Sequence, residues 1–234
     1  MTPDRGPGPA ERGPSIWARY AGEERYGVAL ALLLASMVLV MATGSGTWAE
    51  VANTAMQGLA LIASLRAAWP AGRLRAGLNV LIVLGILIVC AQAILENRVD
   101  RWVVPATTIS LVLLATPVVA SGLIRQVRRS GAITIHTMMG VICIYLLLSL
   151  AFASSFALVD AAGGEPFFRE GPEWSSLRNY LYFSLTTITT VGMGDLVPAR
   201  DLGRALTASE ALIGQIYIVT VVALIVANIG RRRA

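Results

Sequence analysis

The sequence has no lysine, one histidine, two cysteines and few charges, and each shortage removes a class of function. All 19 basic residues of the 234-residue chain are arginine, against 14 acidic ones. A lysine-free basic set is the mark of a GC-rich genome, so a bacterial source is expected. The arginines are scattered and form no continuous stripe, so the net charge of +5 does not point to nucleic acid. His136 cannot hold a metal alone, and no Cys-x-x-Cys or Cys/His cluster accompanies it. It reads either as an interfacial residue or as a pH sensor. Cys90 and Cys143 lie in apolar runs, where a free thiol packs like a small hydrophobe. No phosphate loop or nucleophile–base pair is present, so neither an enzyme nor a bound cofactor is expected. Charged residues make up 14% of the chain and hydrophobic ones 56%, with a mean hydropathy of +0.67. That much apolar surface belongs to a polytopic membrane protein.

Residues 1–25, rich in Pro, Gly, Arg and Glu, read as a disordered tail. Apolar spans follow at about 27–43, 54–69, 77–95, 102–124, 132–159 and 203–229. A helix needs about 20 residues to cross the hydrocarbon. The first span is long for a signal peptide, and no small-residue cleavage site follows it. The second is weakest, because Gln57 and Arg66 interrupt it. Orientation follows from the arginines. With the N-terminus in the cytoplasm, 13 arginines fall inside: Arg5, Arg12, Arg19, Arg25, Arg66, Arg73, Arg75, Arg125, Arg128, Arg129 and Arg231–Arg233. Six fall outside: Arg98, Arg101, Arg169, Arg178, Arg200 and Arg204.

Between the last two spans lies Thr186–Asp195, Thr-Thr-Ile-Thr-Thr-Val-Gly-Met-Gly-Asp. It is too short and too polar to cross a membrane. Non-helical backbone at membrane depth is tolerated only where protein buries it or where it lines a watery path. Successive carbonyls in such a stretch can replace the water shell of an ion. Gly192 and Gly194 can take backbone conformations closed to other residues, which lets those carbonyls face one way.

Thr190-Val191-Gly192-Met193-Gly194-Asp195 resembles the selectivity filter of tetrameric potassium channels, whose usual form is Thr-Val-Gly-Tyr-Gly-Asp. Tyr182-Phe183-Ser184-Leu185-Thr186-Thr187 resembles that family's pore helix, with Tyr-Phe where a Trp pair is common. Gly203-Arg204 opens the next helix, and Gly214 sits where the family often has a hinge glycine. The resemblance covers roughly residues 131–230. It implies an all-α membrane protein with six transmembrane helices and a re-entrant pore helix and filter between the fifth and sixth. Potassium would be coordinated at Thr190, Val191, Gly192 and Met193, with Gly194 completing the filter and Asp195 at its outer mouth. One chain supplies one filter strand, so four chains are expected.

Met193 departs from the family's tyrosine. A flexible methionine without a hydroxyl braces the filter less well, and selectivity over sodium is the property at stake. Thr186 stands where some family members bury a glutamate, which leaves Asp195 either freer in the outer mouth or merely capping the turn. Asp160, Glu165, Glu170 and Glu173 form either an acidic vestibule or a solvated loop. On the last helix Gln215, Ile218, Val222 and Val226 recur at helical spacing, which makes them cavity and gate candidates or an ordinary packing stripe. Glu210 is a functional candidate by its depth, or a hydrogen-bond partner of the pore helix.

The fourth span argues against a voltage sensor, because Trp102–Ile124 carries no charge. Pro105 and Pro117 are expected to kink or open it. The sequence stops at Ala234, just after Arg231–Arg233, and no soluble ligand-gating domain is expected. The expected organisation is a cytoplasmic tail (1–25), a four-helix module (26–130), a pore domain (131–230) and a basic cytoplasmic end (231–234). The reading is a homotetrameric, potassium-selective channel of the plasma membrane, with both termini cytoplasmic, potassium ions and lipids as partners, and no nucleic acid. The alternatives are a weakly selective cation channel and a non-conducting scaffold or sensor with a degenerate filter.

Overall fold

The computed structural model describes residues 25–43, 46–68, 72–95, 100–130 and 134–231, and the side chains of 25, 129, 130, 222 and 225–231 fall outside that description. The expected N-terminal tail and the last residues of the basic end also lie outside the described residues. The fold is all-α. Its helices are α1 (Arg25–Ala42), α2 (Thr47–Ala68), α3 (Arg73–Leu95), α4 (Val103–Ser130), α5 (Ile135–Ala162), the short α6 (Leu177–Ile188) and α7 (Asp201–Arg231). Six long helices thus stand where the six apolar spans were expected. Among the described residues, Arg73–Leu95, Val103–Arg128 and Ile135–Ala162 are long and apolar enough to cross a membrane, and Tyr26–Ala42 is a shorter apolar helix.

The ends are set by local chemistry. Thr134 caps α5 by accepting from the Thr137 amide, and the Thr137 hydroxyl answers to the Thr134 amide. Four N-terminal amides of any helix lack internal partners, and such a box satisfies two donors at once. Ser176 caps α6 in the same manner through the Asn179 amide. Proline does not break α4. Pro105 falls in the first turn, where no amide is needed, and the helix runs on through Pro117 to Ser130.

The polar residues of α2 turn inward. The Thr108 hydroxyl of α4 donates to Gln57 Oε1 at 3.2 Å, the Asn53 amide reaches Thr43, and Ser64 bonds back to the Ala60 carbonyl. Gln57 therefore has a buried partner, and α2, as expected of the weakest span, is not among the helices long and apolar enough to cross a membrane. Between apolar helices in lipid the hydrophobic effect supplies little, and packing with interhelical hydrogen bonds holds them together. α2 packs against α1, α3 and α4, and α5 joins this group through α1 and α4, which both lie on it. Leu33, Leu61, Leu65, Leu147 and Leu150 are fully buried along that seam.

The segment between α5 and α6 is fixed. Phe167 and Phe168 fold under it against Phe156, Tyr180 and Phe183, with ring centroids 5.0 to 6.3 Å apart. Arg169 N donates to the Val197 carbonyl and Ala199 N to the Phe167 carbonyl, joining this loop to the chain leaving the Thr190–Asp195 stretch.

Candidate functional site

α6 is twelve residues long and enters between α5 and α7. It ends because the chain reverses at Thr189 and Thr190. Thr190 has φ 60°, Gly192 φ 51° and Gly194 φ 81°. Positive φ thus recurs at every second residue, with Val191 and Met193 between them outside that region. In a strand successive carbonyls alternate sides. A backbone alternating between left- and right-handed residues instead sends its amides to one side and its carbonyls to the other. The amides comply. Val191 N and Gly192 N both donate to the Thr186 carbonyl, at 2.9 and 3.0 Å, on the α6 side. Glycine tolerates this backbone freely, whereas a β-branched threonine at φ 60° stores strain on the order of 1–3 kcal/mol. Val191, Gly192, Met193 and Gly194 are exposed in the single chain, and Met193 keeps 65% of its surface.

Both ends of the stretch are tied to the helices. At the foot, the Tyr145 hydroxyl of α5 donates to the Ile188 carbonyl at 2.6 Å. The Tyr145 ring stacks on Tyr217 of α7 at 5.6 Å, and the Tyr217 hydroxyl reaches the Val141 carbonyl at 2.6 Å. At the far end, the Tyr182 hydroxyl donates to Asp195 Oδ2 at 3.0 Å. Asp195 is therefore tethered, which answers the question left by Thr186. The Thr186 hydroxyl bonds within its own helix, to the Phe183 carbonyl.

Behind α6, Glu210 is fully buried. Ser184 Oγ donates to Glu210 Oε1 at 2.5 Å and lies 2.9 Å from Ser149 Oγ. The pore-helix partner expected for Glu210 is present, within the same chain. α7 meets the rest through Glu210, Gly214 and Tyr217, one stripe at helical spacing. Gly214 is there because α7 comes very close: a Cβ at this position would lie 2.6 Å from Ile188 Cγ1 and 2.7 Å from the Ile188 carbonyl oxygen. Close approach alone accounts for the glycine, apart from any hinge. Gln215 and Ile218 stand on the uncovered side of α7. The Val222 and Val226 side chains lie outside the described residues.

The acids of the preceding loop separate into two kinds. Asp160 Oδ1 accepts from Phe167 N at 2.6 Å and from Ser175 Oγ at 3.3 Å, and Glu170 Oε2 accepts from Val197 N at 3.3 Å. These two organise the loop. Glu165 and Glu173 are exposed. Among the described residues no group of three His, Cys, Asp or Glu is arranged to hold a metal.

The ties made by Tyr145, Tyr217 and Tyr182, and the place of Ser149 beside Ser184 and Glu210, carry no signal in the sequence, because each joins residues that no spacing relates. Glu210 alone carried a signal, as an acid inside an apolar helix.

Residues 140–231 match a family model described as ion channel. The potassium voltage-gated channel protein shk-1 of Caenorhabditis elegans is 38% identical over 82 residues, which cover 34% of this chain and 15% of that protein. The chain therefore spans only a small part of the length of this relative. No solved structure matches. The matched residues include α6, the alternating stretch and α7, so the part of this membrane protein that resembles an ion channel is the part just described.

Proposed function

We propose that the chain is a passive potassium channel in which four copies bring their Thr190–Gly194 stretches around one axis. The observation that carries this reading is the alternation of positive φ at Thr190, Gly192 and Gly194 while the amides of Val191 and Gly192 turn back to Thr186. The carbonyls are then free to face a common axis and stand in for the water shell of a potassium ion. One chain holds one such stretch, so a closed ring of oxygens needs symmetric copies. The printed name of the nematode relative supports potassium as the ion. The uncharged centre of α4 supports a pore that does not sense voltage through this helix. The arginine distribution supports a plasma-membrane orientation with both termini in the cytoplasm, and a bacterial source agrees with the absence of lysine. Gln215 and Ile218 would line the cavity, Gly214 would serve as hinge if α7 bends, and Val222 and Val226 would form the apolar gate.

The test is rubidium or potassium uptake into liposomes containing the purified protein. Uptake should be blocked by barium, which has a similar radius and double the charge. Well-folded protein that gives no uptake above empty liposomes, across pH and voltage, leaves only the non-conducting scaffold.

A second reading, a weakly selective cation channel, is favoured by Met193, whose exposed thioether lacks the hydroxyl and ring that would brace the filter. A reversal potential in mixed potassium and sodium separates the two.

A further inference from the structure

A cavity of about 570 Å³ lies where the four-helix module meets the pore region, beside the start of α6. Its size is within the range of about 300–1,000 Å³ usual for small-molecule sites. Glu50 and Asp100 line it from the module, Asp160 and Glu173 from the pore region, and Arg101 and Arg178 add two positive charges. Among the described residues none of these charges is ion-paired with another. Opposite charges facing one space ordinarily close on each other when nothing stands between them, because the attraction grows as they approach. Asp160 is anchored through Oδ1 to Phe167 N and Ser175, and Asp100 receives a 3.5 Å contact from Gln92.

Tyr180 supplies a second, independent sign. This residue of α6 is 4% exposed and lines the cavity, and its hydroxyl is buried with no hydrogen-bond partner. Asp160 and Ser175 lie close enough to interact with it and Arg101 is near, although no hydrogen bond of good geometry joins them. A buried hydroxyl left unpaired costs about 1–3 kcal/mol, so such groups are rare unless something else supplies the partner.

We propose that this cavity binds a small organic molecule carrying a primary ammonium group. Three N–H donors on one nitrogen match the Tyr180 oxygen and the free carboxylate oxygens around it. A bare metal ion would leave most of the space unfilled and lacks a three-ligand cluster among the described residues. Arg101 and Arg178 provide for a carboxylate at the other end of the same ligand. Because α1, α2 and α4 form one wall and α5 and α6 the other, an occupant links the module to the helix that carries the filter. The site would give the four-helix module a task that its uncharged α4 does not supply.

The test is binding to the full-length purified protein, followed by thermal shift and calorimetry with cadaverine, L-lysine and hexanoate as probes. Cadaverine or L-lysine should raise the melting temperature, and hexanoate should not; a preference for L-lysine would assign the arginines to the carboxylate. Glu50→Gln with Glu173→Gln should weaken binding about tenfold or more, the size expected for lost charged hydrogen bonds. Tyr180→Phe should also weaken binding while leaving the ligand-free melting temperature unchanged or higher, because no hydrogen bond of good geometry holds its hydroxyl in the free protein. No shift with either amine, an unchanged affinity in the double variant, or a ligand-free Tyr180→Phe protein that melts earlier would overturn the proposal. Binding is read without ion flux, so it stands or falls separately from the channel reading. A change in rubidium uptake on adding the amine, absent in the double variant, would show the coupling.

Discussion

The Tyr182 hydroxyl donates a hydrogen bond to Asp195 Oδ2 at 3.0 Å, joining α6 to the outer end of the Thr190–Asp195 stretch within one chain. The bond spans thirteen residues of sequence and holds the last carbonyls in place from outside. Tyr182→Phe removes the donor and keeps the ring. Rubidium uptake should then decline faster with time than in the unaltered protein. Asp195→Asn retains an acceptor oxygen and should have the milder effect. The double variant should be no worse than its more severe parent, and additive losses in the uptake time course would show that the two residues act separately.

Gly214→Ala should destabilise the protein. The added methyl would lie 2.6 Å from Ile188 Cγ1 and 2.7 Å from the Ile188 carbonyl oxygen. Overpacking of this kind costs about 1–3 kcal/mol. Ile188→Val removes the side-chain clash and leaves the carbonyl clash, so it should restore only part of the melting temperature. Complete rescue would locate the constraint in the side chain alone.

Ser184→Ala and Glu210→Gln should act in opposite directions. Ser184 is the donor to Glu210 Oε1, and its removal leaves that oxygen buried without a partner. The expected cost is about 1–3 kcal/mol. Glu210→Gln keeps an acceptor for Ser184 and removes the need to bury a charge, so the melting temperature should hold or rise. A lower melting temperature in Glu210→Gln would mean that the charge itself is used, by a group contributed from a neighbouring copy.

Met193→Tyr restores an aromatic ring and hydroxyl at the filter. Potassium over sodium selectivity, read from the reversal potential in mixed ions, should rise. An unchanged reversal potential with intact protein would show that the methionine does not limit selectivity.

Much of the fold was legible in the residues. The apolar runs, the scarcity of charge and the arginine distribution are one-dimensional properties, since a helix in lipid must satisfy its backbone within its own length. The Thr190–Asp195 motif was legible for a related reason, because glycine at alternate positions favours alternating backbone handedness and shows directly in the letters, although Thr190 takes a positive φ without one. The buried partner of Gln57 was not legible, since Thr108 lies fifty-one residues away. Pro105 was read as a kink because its place in the first turn depends on where α4 begins. The tether on Asp195, the contact that demands Gly214, the serines around Glu210 and the unpaired hydroxyl of Tyr180 all depend on helices meeting across the bundle. Composition and local backbone preference act along the chain and are written in it. Which side chains face one another depends on helix rotation and crossing, which packing decides only once all the helices are assembled.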